Sequence, residues 1–110
     1  MLPDEVRLQH MLDAAQKAVT YAHGKSRRDL ETDELLALAL VRLLEILGEA
    51  AKNVSSSTKS AAPEIPWQQL AGTRDRLIHG YFAIDLDVLW IILTRDLPPL
   101  IAALEQLRSP

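Results

Sequence analysis

Residues 35–52 read LLALALVRLLEILGEAAK, a run whose charged side chains all fall on one narrow face of a helix. The charged residues recur at spacings of three and four, while Leu, Ile, Val and Ala cover the rest of the circumference. A helix that is apolar on most sides is buried on several sides, so this run predicts the central helix of the molecule. The helix should extend from about residue 32 to about residue 54, with Thr32 as its N-cap.

The charged residues of this helix form a polar row, defined as Arg42, Glu45, Glu49 and Lys52. Side chains of opposite sign at these spacings can satisfy one another, which would make the row a structural ion network. The row can instead be enclosed or lie at an interface, where Glu45 and Glu49 would support an active site. The sequence leaves both interpretations open.

An amphipathic helix precedes the central one, from about residue 3 to about residue 23, because apolar residues recur there at helical spacing. Pro3 suits its first turn, and Gly24 follows its end, where glycine is the usual left-handed cap. The basic residues Lys25, Arg27 and Arg28 then fall in a predicted solvated loop.

Two further helical regions follow the central helix. Pro66 starts one of them, which should run from about Trp67 to Ile78 or His79. Asp85 can cap the last region, and Pro98 with Pro99 should kink or split it near Asp96. Residues 55–66 form a connection with at most a short helix. We therefore expect an all-α, four-helix up-and-down-type bundle with a short extra helical connection, built as a single domain over residues 1–110.

The composition excludes several classes of function. The 110-residue chain has no cysteine, so disulfides, thiolate metal sites and thiol catalysis are excluded. The longest apolar run is too short for a membrane span and the N-terminus lacks a signal peptide, which predicts a soluble, cytoplasmic protein. A net charge of -3 argues against a generic nucleic-acid binder, so any RNA contact must be local.

The three histidines share no metal-ligand spacing, and no carboxylate cluster completes a ligand set, so neither a metal site nor a cofactor is expected. Residues 55–57 are serines without a nearby histidine in sequence, which gives a serine nucleophile no support.

Residues 74–81, with the sequence RDRLIHGY, are the strongest candidate for a site. Arg74 lies on the stripe that the neighbouring apolar residues predict to be buried, so it should belong to an interface, a cleft or a paired network. At about 100° per residue, a regular helix would place His79 about 140° away from Arg74. Both can face one substrate only if Gly80 reorients the chain or if the site draws residues from two subunits.

A purely structural interpretation of the same residues stays open. Arg74 would pair with Glu45 or Glu49, His79 would cap the helix C-terminus, and Tyr81 would pack. Residue chemistry alone does not decide between this interpretation and a site for phosphate chemistry.

The segment resembles the Arg-x4-His-x-Tyr signature of the HEPN superfamily. Further similarity lies in RLQHML at residues 7–12, LLEILGEAAK at 43–52, PEIPWQQLAGTRDRLIHGYF at 63–82, and IDLDVLW followed by DLPPL. Together these stretches resemble the HepT-like toxins over nearly the whole length.

The resemblance implies a HEPN-fold homodimer whose two motifs meet at the interface as a metal-independent endoribonuclease, the toxin of a toxin–antitoxin pair. It implies an MntA-type minimal nucleotidyltransferase as antitoxin, which would silence the toxin by adenylylating Tyr81. His79 would act as general base or acid, and Arg74 would stabilise charge on the phosphorane. Asp75 could orient His79, and Arg76 would be solvated or face a phosphate.

The acidic chain fits a narrow RNA substrate, such as a tRNA segment, better than bulk RNA. A different class of function also stays open: a non-catalytic helical module that binds a nucleotide or a nucleotidyltransferase and only regulates it.

Overall fold

A computed structural model describes residues 2–108 of the chain. In chain order the elements are α1 (Asp4–Ala22), α2 (Arg27–Thr32), α3 (Glu34–Lys52), α4 (Ser56–Ala61), α5 (Trp67–Ala71), α6 (Thr73–Leu77), β1 (Ile78–His79), β2 (Ala83–Ile84), α7 (Leu86–Ile91), a π-helical segment (Ile92–Asp96) and α8 (Leu97–Arg108). The all-α prediction is confirmed, because the two short strands form only one small hairpin.

The core lies where α1 packs against α3 and α8. Met11 of α1, Leu40 and Leu44 of α3 and Leu104 of α8 have no exposed surface. Each helix turns one apolar stripe toward this centre, as the spacing in the sequence predicts. None of the helices within residues 2–108 is long and apolar enough to cross a membrane.

The central helix α3 begins two residues later than predicted and ends two residues earlier. Asp33, not Thr32, is its N-cap, since the Asp33 carboxylate accepts a hydrogen bond from Leu36 N at 3.1 Å. Thr32 instead ends α2, a helix that the sequence does not predict. The predicted loop around residues 25–28 is wrong from Arg27 onward, because Ser26 and Asp29 form a reciprocal capping box that starts α2.

The connection after α3 contains the expected short helix, α4. Ser55 caps it by accepting a hydrogen bond from Thr58 N, and Asp4 of α1 accepts hydrogen bonds from both residues. The connection then leads to α5, where the indole Nε1 of Trp67 donates to Ala62 O at 2.9 Å. These bonds tie the connection to α1 and fix the start of the next helical region.

The third predicted helix is split in two. Gly72 interrupts it between α5 and α6, and α6 ends at Leu77 because Ile78 has an extended backbone, with φ -112° and ψ 124°. The α5 end of this region lies very close to α3: a Cβ atom on Gly48 would meet Leu70 O at 2.7 Å. The glycine therefore lets the backbone of α5 approach the central helix.

The last helical region is split near Asp96, as predicted. A π-helical segment lies at the split and joins α7 to α8 without an intervening loop. Pro98 and Pro99 have no N–H to donate to the carbonyls one turn earlier, which removes two α-helical hydrogen bonds at this point.

Candidate functional site

The residues that resemble the HEPN signature lie in one exposed piece of chain, the motif segment, defined as residues 72–85. It contains α6 and the hairpin of β1 and β2, in which Ile78 pairs with Ile84 and His79 pairs with Ala83. Gly80 has φ +70°, a left-handed conformation that glycine adopts without strain. The predicted reorientation of the chain at Gly80 is confirmed, and it takes the form of a hairpin turn.

Tyr81 and Phe82 form the tip of the hairpin. Tyr81 is 87% exposed and Phe82 is 75% exposed, and their ring centroids lie 5.2 Å apart. The expectation that Tyr81 would pack belongs to the structural interpretation and is wrong for the described chain. The tyrosine hydroxyl is open to another macromolecule.

Arg74 lies on α6 with 60% of its side chain exposed, and its Nε donates to Glu45 Oε2 at 3.2 Å. The prediction that it lies on a buried stripe is wrong, because the break at Gly72 interrupts the regular helix on which that stripe was drawn. The predicted pairing with Glu45 is confirmed. Within residues 2–108 the Nε is the atom of this guanidinium that has a hydrogen-bond partner, and neither Nη group is bonded to Glu45.

The polar row of α3 borders a concave surface next to Arg74. The surface is lined by Arg42, Leu44, Glu45, Gly48, Glu49, Ala71 and Arg74. Glu49 is exposed and accepts a hydrogen bond from Asn53 Nδ2 at 3.4 Å. Of the two interpretations of the row, the ion network is wrong, since no ion pair within residues 2–108 joins two of its members. The row is accessible, and Glu45 alone connects it to Arg74.

His79 lies on β1 with 64% of its side chain exposed, and its Nε2 is 3.4 Å from Asp85 Oδ2. Because α6 ends at Leu77, His79 does not cap that helix, and this part of the structural interpretation is wrong. The Val88 N–H that bonds to the Asp85 carboxylate, followed by the His79 side chain, lowers the pKa of Asp85 from its ordinary value of 3.8.

The sequence predicts Asp85 only as a helix cap and does not predict its contact with His79. The available signal was the spacing of the turn: the two residues flank a short loop that contains Gly80, which is typical of a hairpin. The predicted neighbour, Asp75, is exposed and makes no hydrogen bond or ion pair with His79 among the described residues. That prediction requires Asp75 and His79 to lie one turn apart on the same helix, whereas α6 ends at Leu77.

Arg76 points away from this surface toward the π-helical segment. Its Nη2 is 3.9 Å from Asp96 Oδ2, and both side chains are about one-third exposed or less, at 32% and 26%. Arg76 is therefore only partly solvated, and its guanidinium lies near a carboxylate that the sequence does not predict as its neighbour. Its contact helps to hold α6 against the last helical region.

The site thus offers a guanidinium, an imidazole with a carboxylate neighbour, and an exposed phenol. Within residues 2–108 no group of three or more His, Asp or Glu side chains lies close enough to hold a metal ion together. Guanidinium groups suit phosphate oxygens, and an imidazole can move a proton near neutral pH.

An all-helical chain that carries this exposed arginine, histidine and tyrosine set has the features of a HEPN protein. More particularly, the family described as "Ribonuclease HepT-like" matches residues 11–107, and the chain belongs to that family. It is 45% identical to "Probable ribonuclease HepT" of Thermococcus cleftensis over 102 residues, which are 93% of each chain.

Two other relatives support the same assignment. "Putative RNase TTE0752" of Caldanaerobacter subterraneus subsp. tengcongensis is 36% identical over 84% of this chain and 83% of its own. "Putative RNase MJ1380" of Methanocaldococcus jannaschii is 31% identical over 83% of this chain and 84% of its own. No solved structure matches the chain significantly.

Proposed function

We propose that this chain is the endoribonuclease toxin of a toxin–antitoxin pair and that Arg74 and His79 cleave RNA without a metal ion. The observation that carries the proposal is the exposure of both side chains in the motif segment, 60% for Arg74 on α6 and 64% for His79 on β1. Membership of a ribonuclease family supports the choice of RNA as the substrate class.

In the proposed reaction a ribose 2'-hydroxyl attacks the adjacent phosphorus. The new bond joins O2' to phosphorus, the bond from phosphorus to O5' breaks, and the products are a 2',3'-cyclic phosphate and a 5'-hydroxyl. His79 takes the proton from the 2'-hydroxyl, and a second imidazole in its acid form gives a proton to O5'. Arg74 stabilises the negative charge of the phosphorane through the Nη groups that Glu45 leaves open.

The second imidazole comes from a second copy of the chain. The outer face of α3 supports this part of the proposal, because Leu35 is 81% exposed and Leu38 is 50% exposed. Their spacing places them on the same face as Arg42 and Glu45, so an apolar patch runs into the polar row beside Arg74. A two-fold partner that covers the patch would bring two motif segments toward one another.

The cleavage activity can be tested with labelled tRNA in the presence of EDTA. Wild type should cleave the RNA, whereas His79→Ala should lose about 100-fold or more, since general acid–base catalysis contributes on that order. His23→Ala is the matched control, because His23 is also an exposed histidine but lies at the end of α1. Equal cleavage by wild type and His79→Ala would favour the non-catalytic regulatory module instead.

The dimer is tested by light scattering, which should give twice the chain mass of 12.3 kDa. Leu35→Glu combined with Leu38→Glu should give monomers that remain helical and do not cleave RNA. A wild-type monomer at micromolar concentration would contradict a site shared between subunits.

Tyr81 is the proposed point of inhibition by an MntA-type nucleotidyltransferase. The phenolic oxygen would attack the α-phosphorus of ATP, with pyrophosphate as leaving group, and the attached AMP would place charge and bulk beside the RNA site. Its 87% exposure supports access by an enzyme. Mass spectrometry after co-expression should find one added AMP on Tyr81 and none on Tyr81→Phe; modification of Tyr21 instead would contradict the assignment.

A further inference from the structure

Asp85 makes two contacts in different directions from its position between the hairpin and α7. Its Oδ1 accepts a hydrogen bond from Val88 N at 3.1 Å, which caps α7. Its Oδ2 lies 3.4 Å from His79 Nε2. One carboxylate therefore joins the start of a helix to the imidazole of the motif segment.

The hairpin register explains why the two side chains meet. His79 pairs with Ala83, and Asp85 N donates to Leu77 O at 2.8 Å, so residues 77 and 85 face each other one step further along the ribbon. His79 and Asp85 are then diagonal neighbours on the same face, within reach for side chains of this length. The left-handed turn at Gly80 sets this register.

We propose that Asp85 is a positioning residue that fixes the tautomer and orientation of His79, an inference that rests on the proposed ribonuclease function. A carboxylate accepts and does not donate, so it favours the imidazole with its proton on Nε2. Nδ1 is then the unprotonated nitrogen that faces the 2'-hydroxyl as a base. The carboxylate also stabilises the imidazolium after proton transfer.

A helix cap needs only one carboxylate oxygen, and the same chain provides the comparison. Asp33 caps α3 by accepting from Leu36 N at 3.1 Å, the same arrangement as Asp85 with Val88. The second acidic residue near the start of α7, Asp87, is held by Arg27 at 2.8 Å. Asp85 is thus the acidic residue whose second oxygen is left for His79.

Asp85→Asn separates the two contacts of this side chain. Asparagine caps helices about as well as aspartate, so the amide oxygen should still accept from Val88 N. The amide NH2 then faces His79 and acts as a donor, which favours an unprotonated Nε2 and places the proton on Nδ1. The nitrogen that faces the RNA would then carry the proton and could not act as a base. The same substitution gives the wrong tautomer in the serine protease triad.

The measurements are RNA cleavage, the urea midpoint and the ring 15N shifts of His79, which report the protonated nitrogen. For Asp85→Asn we expect about 10-fold or greater loss of cleavage, less than in a buried triad because the pair is exposed to solvent. The urea midpoint should stay unchanged, and the neutral ring should move from the Nε2–H to the Nδ1–H tautomer. Asp33→Asn is the matched control and should change none of these three readouts.

Asp85→Ser gives a second variant. Its hydroxyl can cap α7 but is too short to reach the imidazole, so cleavage should fall while the fold is kept. Wild-type cleavage in Asp85→Asn, or an unchanged tautomer, would overturn the proposal. If wild type itself cleaves no RNA, the ribonuclease function fails, while the 15N shifts still decide whether Asp85 sets the tautomer.

Discussion

The three-helix centre of the molecule and the motif segment follow different rules. In the centre, formed by α1, α3 and α8, side chains such as Met11, Leu44 and Leu104 are completely buried. In the motif segment only Thr73 and Leu77 are buried, and the residues with functional chemistry face solvent. Hydrophobic spacing therefore decides the first region, and turns and single polar contacts decide the second.

The contrast has a consequence for function. A side chain that contributes little to the core can be chosen for its chemistry, because changing it costs the fold little. Thr73 and Leu77 are the exceptions within the motif segment: both are buried, and Leu77 lies at the end of α6 directly before the hairpin. The segment is thus held through α6, and His79 and Tyr81 lie beyond its end.

The largest effect is expected when an apolar side chain is truncated in each region. Leu44→Ala should lower the free energy of unfolding by about 2–5 kcal/mol, since it opens a cavity in the core. Phe82→Ala should change it by less than about 0.5 kcal/mol, because the ring is 75% exposed. Urea denaturation measures both values. A similar loss for the two variants would show that the hairpin tip is part of the cooperative core.

The second-largest effect on stability is expected where the central helix α3 packs against α5, the helix directly before the motif segment. Gly48→Ala should lower the free energy of unfolding by about 1–3 kcal/mol, because the new Cβ would lie 2.7 Å from Leu70 O and force α5 away from α3. Gly72→Ala is the control: its nearest contact would be an ordinary 3.6 Å. The close approach of α3 and α5 would be contradicted if both alanine variants had the stability of wild type.

A smaller effect is expected at Gly80, where space is open but the backbone is left-handed. Gly80→Ala should cost about 1 kcal/mol, since no atom lies within 4 Å of the added Cβ but φ is +70°. RNA cleavage should fall together with stability, because the turn sets the pairing of His79 with Ala83. Unchanged cleavage with reduced stability would show that the catalytic geometry tolerates a distorted turn.

The sequence predicts the helical centre closely because one period governs many residues there. The bounds of α1 differ from the prediction by one residue at each end, and those of α3 by two. Pro98 and Pro99 likewise indicate the split near Asp96, since two missing N–H groups have a local and certain effect.

The motif segment is less predictable because its shape depends on short-range detail. The apolar residues keep helical spacing across Gly72, so the sequence predicts neither the break at this glycine nor the exposure of Arg74. The hairpin has only two paired residues on each strand, too few for a period-two pattern. The residues of the motif are recognisable by type, whereas the contact of His79 with Asp85 depends on a register that only the folded chain defines.

The smallest effect on stability at neutral pH is expected at Asp4 of α1. Like Asp85 in the motif segment, Asp4 is a carboxylate that joins two parts of the chain through hydrogen bonds. Asp4 accepts hydrogen bonds from Ser55 Oγ and Ser55 N and from Thr58 Oγ1, and these bonds lower the pKa of Asp4 from its ordinary value of 3.8. A carboxyl with a lowered pKa in the folded state stabilises the fold above its unfolded pKa, and this contribution is lost as the pH falls through the folded pKa.

Asp4→Asn should therefore be less stable than wild type at neutral pH, and the difference should shrink as the pH falls below the ordinary value of 3.8. Urea denaturation over a pH series measures the difference in the free energy of unfolding between the two proteins. The contributions of the other carboxylates cancel in this difference because both proteins contain them. Asp13→Asn is the control, since Asp13 is exposed and, among residues 2–108, its side chain accepts a hydrogen bond only from Gln9. A gap that stays constant with pH would mean that the tie between α1 and α4 does not depend on charge, unlike the carboxylate contact proposed for the motif segment.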